Sequence, residues 1–220
     1  RFNDDGSFKI LLVADTQDTN HPQKAMLRLL NACLDKSNPD LVIFLGDQIH
    51  GPSMGKSERA VMAAIDAIIE PVEARGIPFA VVFGNHDDEG GVSKEFQMAY
   101  YQTFDGCLAV AGEQDITGVG NYNLTIRSSD GKKDVVNLWF FDSGTYDETG
   151  EGKYAWVEKD QLDWYEKTSN ALAETNAGEL LPSYAFQHII VPEAYEMLTA
   201  VPKDTKDAVE GVSSHEGNYY

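Results

Sequence analysis

Val81-Val82-Phe83-Gly84-Asn85-His86-Asp87-Asp88-Glu89 is an apolar run that stops at a glycine and passes directly into an amide, an imidazole and three carboxylates. The apolar residues read as a buried strand. A strand end carrying that many ligand-type groups is where α/β proteins place their chemistry. Two further strand ends precede it, at Asp15 and at Gly46-Asp47, and one follows at Gln187-His188.

Upstream, Phe8 to Ala14 reads as a strand buried on both faces and ending at Asp15. Asp15 to Asn20 is a polar loop, and Pro22 suits the first turn of a helix. Met26, Leu27, Leu30, Cys33 and Leu34 recur at helical spacing, which predicts a helix over 23–37, broken by Asn38-Pro39-Asp40. Leu41 to Leu45 is the second buried strand. A Gly/Ser-rich loop from Gly51 to Lys56 leads into a second helix. Val61, Ile65, Ile68, Ile69 and Val72 form its buried stripe, Pro71 bends its last turn and Gly76 closes it. Pro78 to Phe83 is the third strand. The β-α-β-α-β order implies parallel strands and right-handed crossovers.

Downstream the texture changes. Glu95 to Phe104 reads as a helix and Gly106 to Gly120 as loop. Tyr122, Leu124 and Ile126 alternate with polar residues, as in a half-exposed strand. Ser128 to Lys132 is a turn, and Asp134 to Phe141 returns as the second arm of a β-hairpin. Antiparallel strands are thus expected beside the parallel core. Asp142 to Lys153 is a glycine- and acid-rich loop, Trp156 to Leu172 a helix, and Ser183 to Gln187 a strand ending at His188. Glu193 to Thr199 is a short helical stretch, and no periodicity survives from Val201 to Tyr220. The three tryptophans, Trp139, Trp156 and Trp164, are expected in the core.

The chain of 220 residues is expected to form a single domain over 1–220 with a sizeable core. Its 42% apolar content argues against disorder. No run approaches the roughly 18 apolar residues of a membrane span. Arg1 to Ser7 is polar and lacks the apolar block of a signal peptide. A net charge of -19 disfavours binding to a nucleic-acid backbone. Most of the excess acid is expected to be solvated surface, the remainder carboxylates gathered around cations. Cys33 and Cys107 are too few for a disulfide framework or a thiolate metal site. A serine nucleophile is disfavoured, because the chain has no Gly-x-Ser-x-Gly elbow.

The strand ends carry Asp15 and Gln17, Asp47, Asn85 and His86, and His188. In a parallel sheet these ends share one edge, so distant residues can converge. Mixed carboxylate, amide and imidazole donors suit two divalent ions of Zn, Fe or Mn better than a cage built for Ca. One ion would take Asp15, Gln17 and Asp47; a second would take Asp47, Asn85 and His188, with Asp47 shared between them. Two cations ~3.5–4 Å apart acidify a shared water and neutralise phosphate oxygens. His86 need not bind metal; its natural role is to protonate the leaving oxygen.

Asp15-x-Gln17, Gly46-Asp47, Gly84-Asn85-His86-Asp87 and His188 resemble the signature of calcineurin-like metallophosphoesterases, D-x-H, G-D, G-N-H-[DE], a lone His and then G-H-x-H. Gly118 to Asn123, Asn137 to Gly144 and His188 to Tyr195 are similar to the branch of purple-acid-phosphatase-29-like proteins. The resemblance runs from Phe8 to about Tyr195. It implies a four-layer α/β/β/α sandwich with two mixed β-sheets. It also implies Asp15, Gln17, Asp47, Asn85 and His188 as ligands, with Asn85 and His86 on the phosphate. The expected reaction is hydrolysis of a phosphate mono- or diester, on a small molecule or a phosphoprotein, by attack of a metal-bridging hydroxide. Two departures stand out. Gln17 replaces the usual histidine, and Gly-His-x-His is absent, so the last part of the second sheet is expected to be missing through C-terminal truncation. Those departures motivate the alternative of a non-enzymatic binding module on the same fold. Gln17 can also be read as a plain loop residue, His188 as a core histidine, and Asp87 and Asp88 as supporting or solvated groups. His21 and His50 read as surface residues and His215 as part of the tail. Asn123-Leu124-Thr125 fits a glycosylation sequon without further support.

Overall fold

Three short runs dense in Val, Ile, Leu and Phe build the first sheet: Ile10–Val13 (β1), Leu41–Leu45 (β2), reached through helix Lys24–Ser37 (α1), and Phe79–Val82 (β3). Between β2 and β3 lie the short helix Gly51–Met54 (α2) and the long helix Glu58–Glu73 (α3). The structure, a computed structural model, describes residues 1–149, 153–191, 193–196, 201, 202 and 205. Strand order is β1-β2-β3 and every pairing is parallel, as the βαβ alternation requires. This sheet is therefore wholly parallel rather than mixed. Leu30 and Leu34 of α1 and Val61, Ile65, Ile68, Ile69 and Val72 of α3 are buried, and they belong to one core with Val42, Ile43, Phe44 and Phe79–Val82.

Lys94–Tyr101 (α4) follows, then Tyr122–Arg127 (β4), Asp134–Phe140 (β5), Lys159–Thr175 (α5) and Ser183–Phe186 (β6). β5 pairs antiparallel with β4 and parallel with β6, so the second sheet is mixed. The period of two along β5 sorts its side chains by face. Leu138 and Phe140 join the first core, whereas Trp139 and Phe141 pack with Trp164 of α5 in a second cluster. Two sheets thus meet face to face with helices outside each, which is the α/β/β/α sandwich. Tyr122 stacks on Phe140 at 4.5 Å between ring centres. Its hydroxyl accepts from the Val81 N–H at 3.0 Å and donates to the Val81 carbonyl at 2.8 Å. One phenol of the second sheet therefore closes the outer edge of β3.

Several boundaries differ from expectation for local reasons. β1 is not buried on both faces: it is an outer strand, and Leu12 is 51% exposed. The 51–56 loop contains α2, because Pro52 suits the opening turn of a helix. α1 starts after Pro22, with Gln23 as its N-cap. α5 starts later than expected, at a capping box of Glu158 and Gln161. Leu162 points outward and Trp156 is only half-buried. Both cysteines are free and partly buried.

Residues 1–189 form one compact unit and residues 190–220 a second. In the second, the described residues include the short helix Glu193–Glu196 (α6), while 197–199 and the tail with His215 lie outside the described residues. No helix among the described residues is long and apolar enough to cross a membrane.

Tyr122→Phe removes the only side-chain oxygen that serves both Val81 backbone groups in these contacts. Leaving those buried groups unpaired is expected to cost about 1–3 kcal/mol. Urea unfolding would read this as a lower midpoint at unchanged slope; an unchanged midpoint would show that the edge is satisfied otherwise.

Candidate metal centre

The three strands of the first sheet end on one edge, and the loops leaving β1 and β2 continue side by side. Asp15 N–H donates to the Gly46 carbonyl, Gln17 N–H to Asp47 and Asp18 N–H to Gln48. Asp15, Gln17 and Asp47 all adopt left-handed backbone conformations, at φ 54°, 40° and 53°. Such conformations cost of order 1–3 kcal/mol for residues other than glycine and cluster where a site over-determines them. Here they turn three polar side chains at the ends of two strands.

Asp47 is the hub. Its carboxylate is 2% exposed, and Oδ1 accepts the His86 N–H at 2.8 Å. Oδ2 faces His188 Nε2 at 3.3 Å, the Gln17 amide nitrogen at 3.4 Å and His86 Nε2 at 4.0 Å. Two glycines make room for it. A Cβ on Gly84 would run into the Asp47 carboxylate. One on Gly46, itself at φ 86°, would lie 2.5 Å from His188 Nδ1.

His188 does not come from the parallel sheet. It follows β6 of the second sheet and crosses to the first, where its Nδ1 lies 2.8 Å from the Leu45 carbonyl at the end of β2. That contact assigns the proton to Nδ1 and directs Nε2 at Asp47, the orientation a metal-ligating imidazole takes. Among the described residues, Asp15, Asp47 and His188 can bring one ligand atom each within 4.8 Å of one another. Two carboxylates and an imidazole at that spacing fit a divalent cation of the transition series. Burial alone would depress the His188 imidazolium, but hydrogen bonds to Asp47 and to the Leu45 carbonyl outweigh it and push its pKa up to about 9. Burial would likewise raise the Asp47 carboxyl, yet His188 and the His86 N–H hold it below its usual range.

Asn85 and His86 stand at the rim of the same cluster. The Asn85 amide nitrogen donates to the Tyr146 hydroxyl at 3.0 Å, which leaves Oδ1 available. His86 Nδ1 meets Glu89 Oε2, and the Tyr146 hydroxyl donates to Glu89 Oε1. The His50 ring lies 6.0 Å from that of His86. Sequence reasoning gave Glu89 and Tyr146 no role. Glu89 follows His86 by three residues at the end of the run from Val81 to Glu89, whereas nothing marks Tyr146 in its loop. Asp87 is buried, not solvated. Its oxygens accept from the N–H groups of Asp47, Gln48, Ile49 and Gly84. Burial pushes this carboxyl up, but a shell of N–H donors suits the carboxylate form.

The Asp47–His188 contact predicts a pH dependence in chelator-treated protein. His188 is raised from 6.5 to about 9, so its contribution is complete below pH 6.5 and lost as pH rises through 9. Asp47 is lowered, so its contribution is present above 3.8 and lost as pH falls through the depressed value. The Tm should therefore decline between pH 6.5 and 9, and His188→Asn should flatten that decline. A flat wild-type profile would exclude the charged pair.

The chain matches the family model described as calcineurin-like phosphoesterase over residues 8–203. It is 32% identical to "Probable inactive purple acid phosphatase 29" of Arabidopsis thaliana over 96% of this chain and 60% of that one. It is 31% identical to "Probable inactive purple acid phosphatase 14" of the same plant over 88% of this chain and 56% of that one. With "Phosphatase DCR2" of Saccharomyces cerevisiae it shares 31% identity over 86% of this chain and 36% of that one. The chain thus spans less than two thirds of the length of each of these relatives. On that family match, which spans most of its length, the chain belongs to the calcineurin-like phosphoesterases.

Proposed function

We propose that this chain forms the metal-binding core of a hydrolase of phosphate mono- or diesters. The observation that carries the reading is the meeting of Asp15, Asp47 and His188 beside His86. Asp15, Asp47 and His188, joined by the side-chain oxygens of Gln17 and Asn85, would hold two divalent ions of Zn, Fe or Mn, with Asp47 shared. When bound, such ions supply an acidified water and positive charge against the phosphate oxygens. The remaining work falls to the protein. Asn85 would orient the phosphate through its amide. His86 would hold a proton at Nε2 and deliver it to the leaving oxygen. The net charge of -19 disfavours nucleic-acid backbones as substrates and supports a small-molecule or phosphoprotein ester.

One observation favours a non-catalytic binding module instead. The Gln17 amide nitrogen, not its oxygen, faces Asp47 at 3.4 Å. The names of two relatives also carry the word inactive.

Turnover of p-nitrophenyl phosphate separates the readings. Asp47→Asn and His86→Ala are each expected to lower kcat by about 10²-fold or more, the range of a lost acid or ligand, while leaving far-UV circular dichroism unchanged. Wild-type rates in both would remove the assigned roles. Elemental analysis should find about two equivalents of divalent metal per active chain. No metal, together with tight binding of a partner, would establish the module.

A further inference from the structure

We infer that Glu89 and Tyr146 are positioning residues that set, through one directional chain of hydrogen bonds, which atom of Asn85 faces the cations and which atom of His86 faces the leaving group. The inference rests on the phosphoesterase reading.

A phenol has a single proton, and that constraint gives the chain its direction. The Tyr146 hydroxyl contacts a carboxylate oxygen of Glu89, which can only accept, so Tyr146 donates there. Its oxygen is then left to accept, and the Asn85 amide nitrogen donates to it at 3.0 Å. One Asn85 amide proton is thereby committed to Tyr146, which leaves the second for the phosphate and presents Oδ1 to the site. The second Glu89 oxygen accepts from His86 Nδ1. That fixes one ring proton on Nδ1 and leaves Nε2, 4.0 Å from Asp47 Oδ2, as the working nitrogen, which carries the second proton of the imidazolium when His86 acts as the acid. One carboxylate and one phenol thus decide the orientation of a neutral amide and of an imidazole at once. Either side chain could otherwise rotate by half a turn at little cost.

The electrostatics agree with this direction. Burial would raise the Glu89 carboxyl, but hydrogen bonds from Tyr146 and His86 hold it low. The Tyr146 phenol is raised, chiefly by its bond to Glu89, so it remains a donor.

Tyr146 is itself held in place. Asp142, at the root of its loop, is buried and paired with the equally buried Lys94 at 2.8 Å. The same carboxylate oxygen accepts the Gly144 N–H at 3.0 Å. The Tyr146 ring stacks on Tyr154 with centres 5.8 Å apart, beside a backbone bridge between the two residues. Tyr146 is nevertheless 37% exposed, and Glu89 is exposed too, so trimming either should not threaten the core.

Two measurements on Glu89→Ala and Tyr146→Phe test the relay. In chelator-treated protein, two-bond 1H–15N correlations read the neutral His86 tautomer. The wild type should carry its proton on Nδ1, the form free imidazole disfavours, and Glu89→Ala should revert to Nε2–H. An Nε2–H wild type, or no change in the variant, overturns the inference. In metal-loaded protein, both variants should lower kcat on phenyl phosphate by about 10-fold or more, part of the 10²–10⁴ that a general acid contributes. With 2,4-dinitrophenyl phosphate, whose leaving group needs no proton, the loss should stay below about 3-fold. Tyr146→Phe should also weaken Zn2+ retention by about 10-fold, as loss of support behind a ligand does. Equal losses on both esters would mean general damage and overturn the inference. A wild type inactive on both esters would remove the phosphoesterase reading, while the tautomer result would still decide the relay.

Discussion

Everything at this site depends on one buried carboxylate that never faces it. Asp87 sits a turn beyond β3 and gathers four backbone N–H groups, three from the loop after β2 and one from Gly84. Those donors have no helical or strand partner at that bend, so a neutral or shorter side chain would leave several unpaired in a dry environment. The bond is between loops, not within one. It fixes the distance between the end of β2, which supplies Asp47, and the end of β3, which supplies Asn85 and His86. The His86 N–H then reaches back to Asp47 Oδ1 and closes the ring of contacts. The left-handed backbone at Asp47 persists because this frame over-determines it.

The second requirement is that two sheets agree on a register. Asp15, Gln17, Asp47, Asn85 and His86 lie on loops of the parallel sheet, but His188 arrives from β6. Its place is set by the Leu45 carbonyl on one side and by the bare Cα of Gly46 on the other. Behind it, Tyr122 ties the face of the second sheet to the edge of β3. The stacked rings of Tyr122, Phe140 and Phe186 continue that tie to the end of β6, two residues before His188. Packing in the sandwich and geometry at the cluster are therefore the same problem.

Much of this was legible in the residues. The continuous apolar runs at 41–45 and 79–83 can only be strands buried on both faces, and their alternation with helical stripes forces parallel order. The family signature then carries the sandwich. What the sequence hid has a common cause: it depended on partners distant in the chain. Leu12 looks like a core residue until β1 is seen to be an outer strand. Asp87 looks like one acid among three until its oxygens are traced to another loop. His188 could be placed at a strand end, but not on a particular sheet. Tyr146 has no local mark at all, because its role follows from Asn85 and Glu89, both far away along the chain.

Straddling two layers has a consequence for the order in which this chain acquires competence. The parallel half can assemble its own loops, His86 included, and still lack His188. The mixed half can form its hairpin and still hold only a lone histidine. The cluster of Asp15, Asp47 and His188 therefore exists only once the two layers have docked. A cation bound by that cluster would favour the docked arrangement over every looser one, and so would latch the sandwich shut.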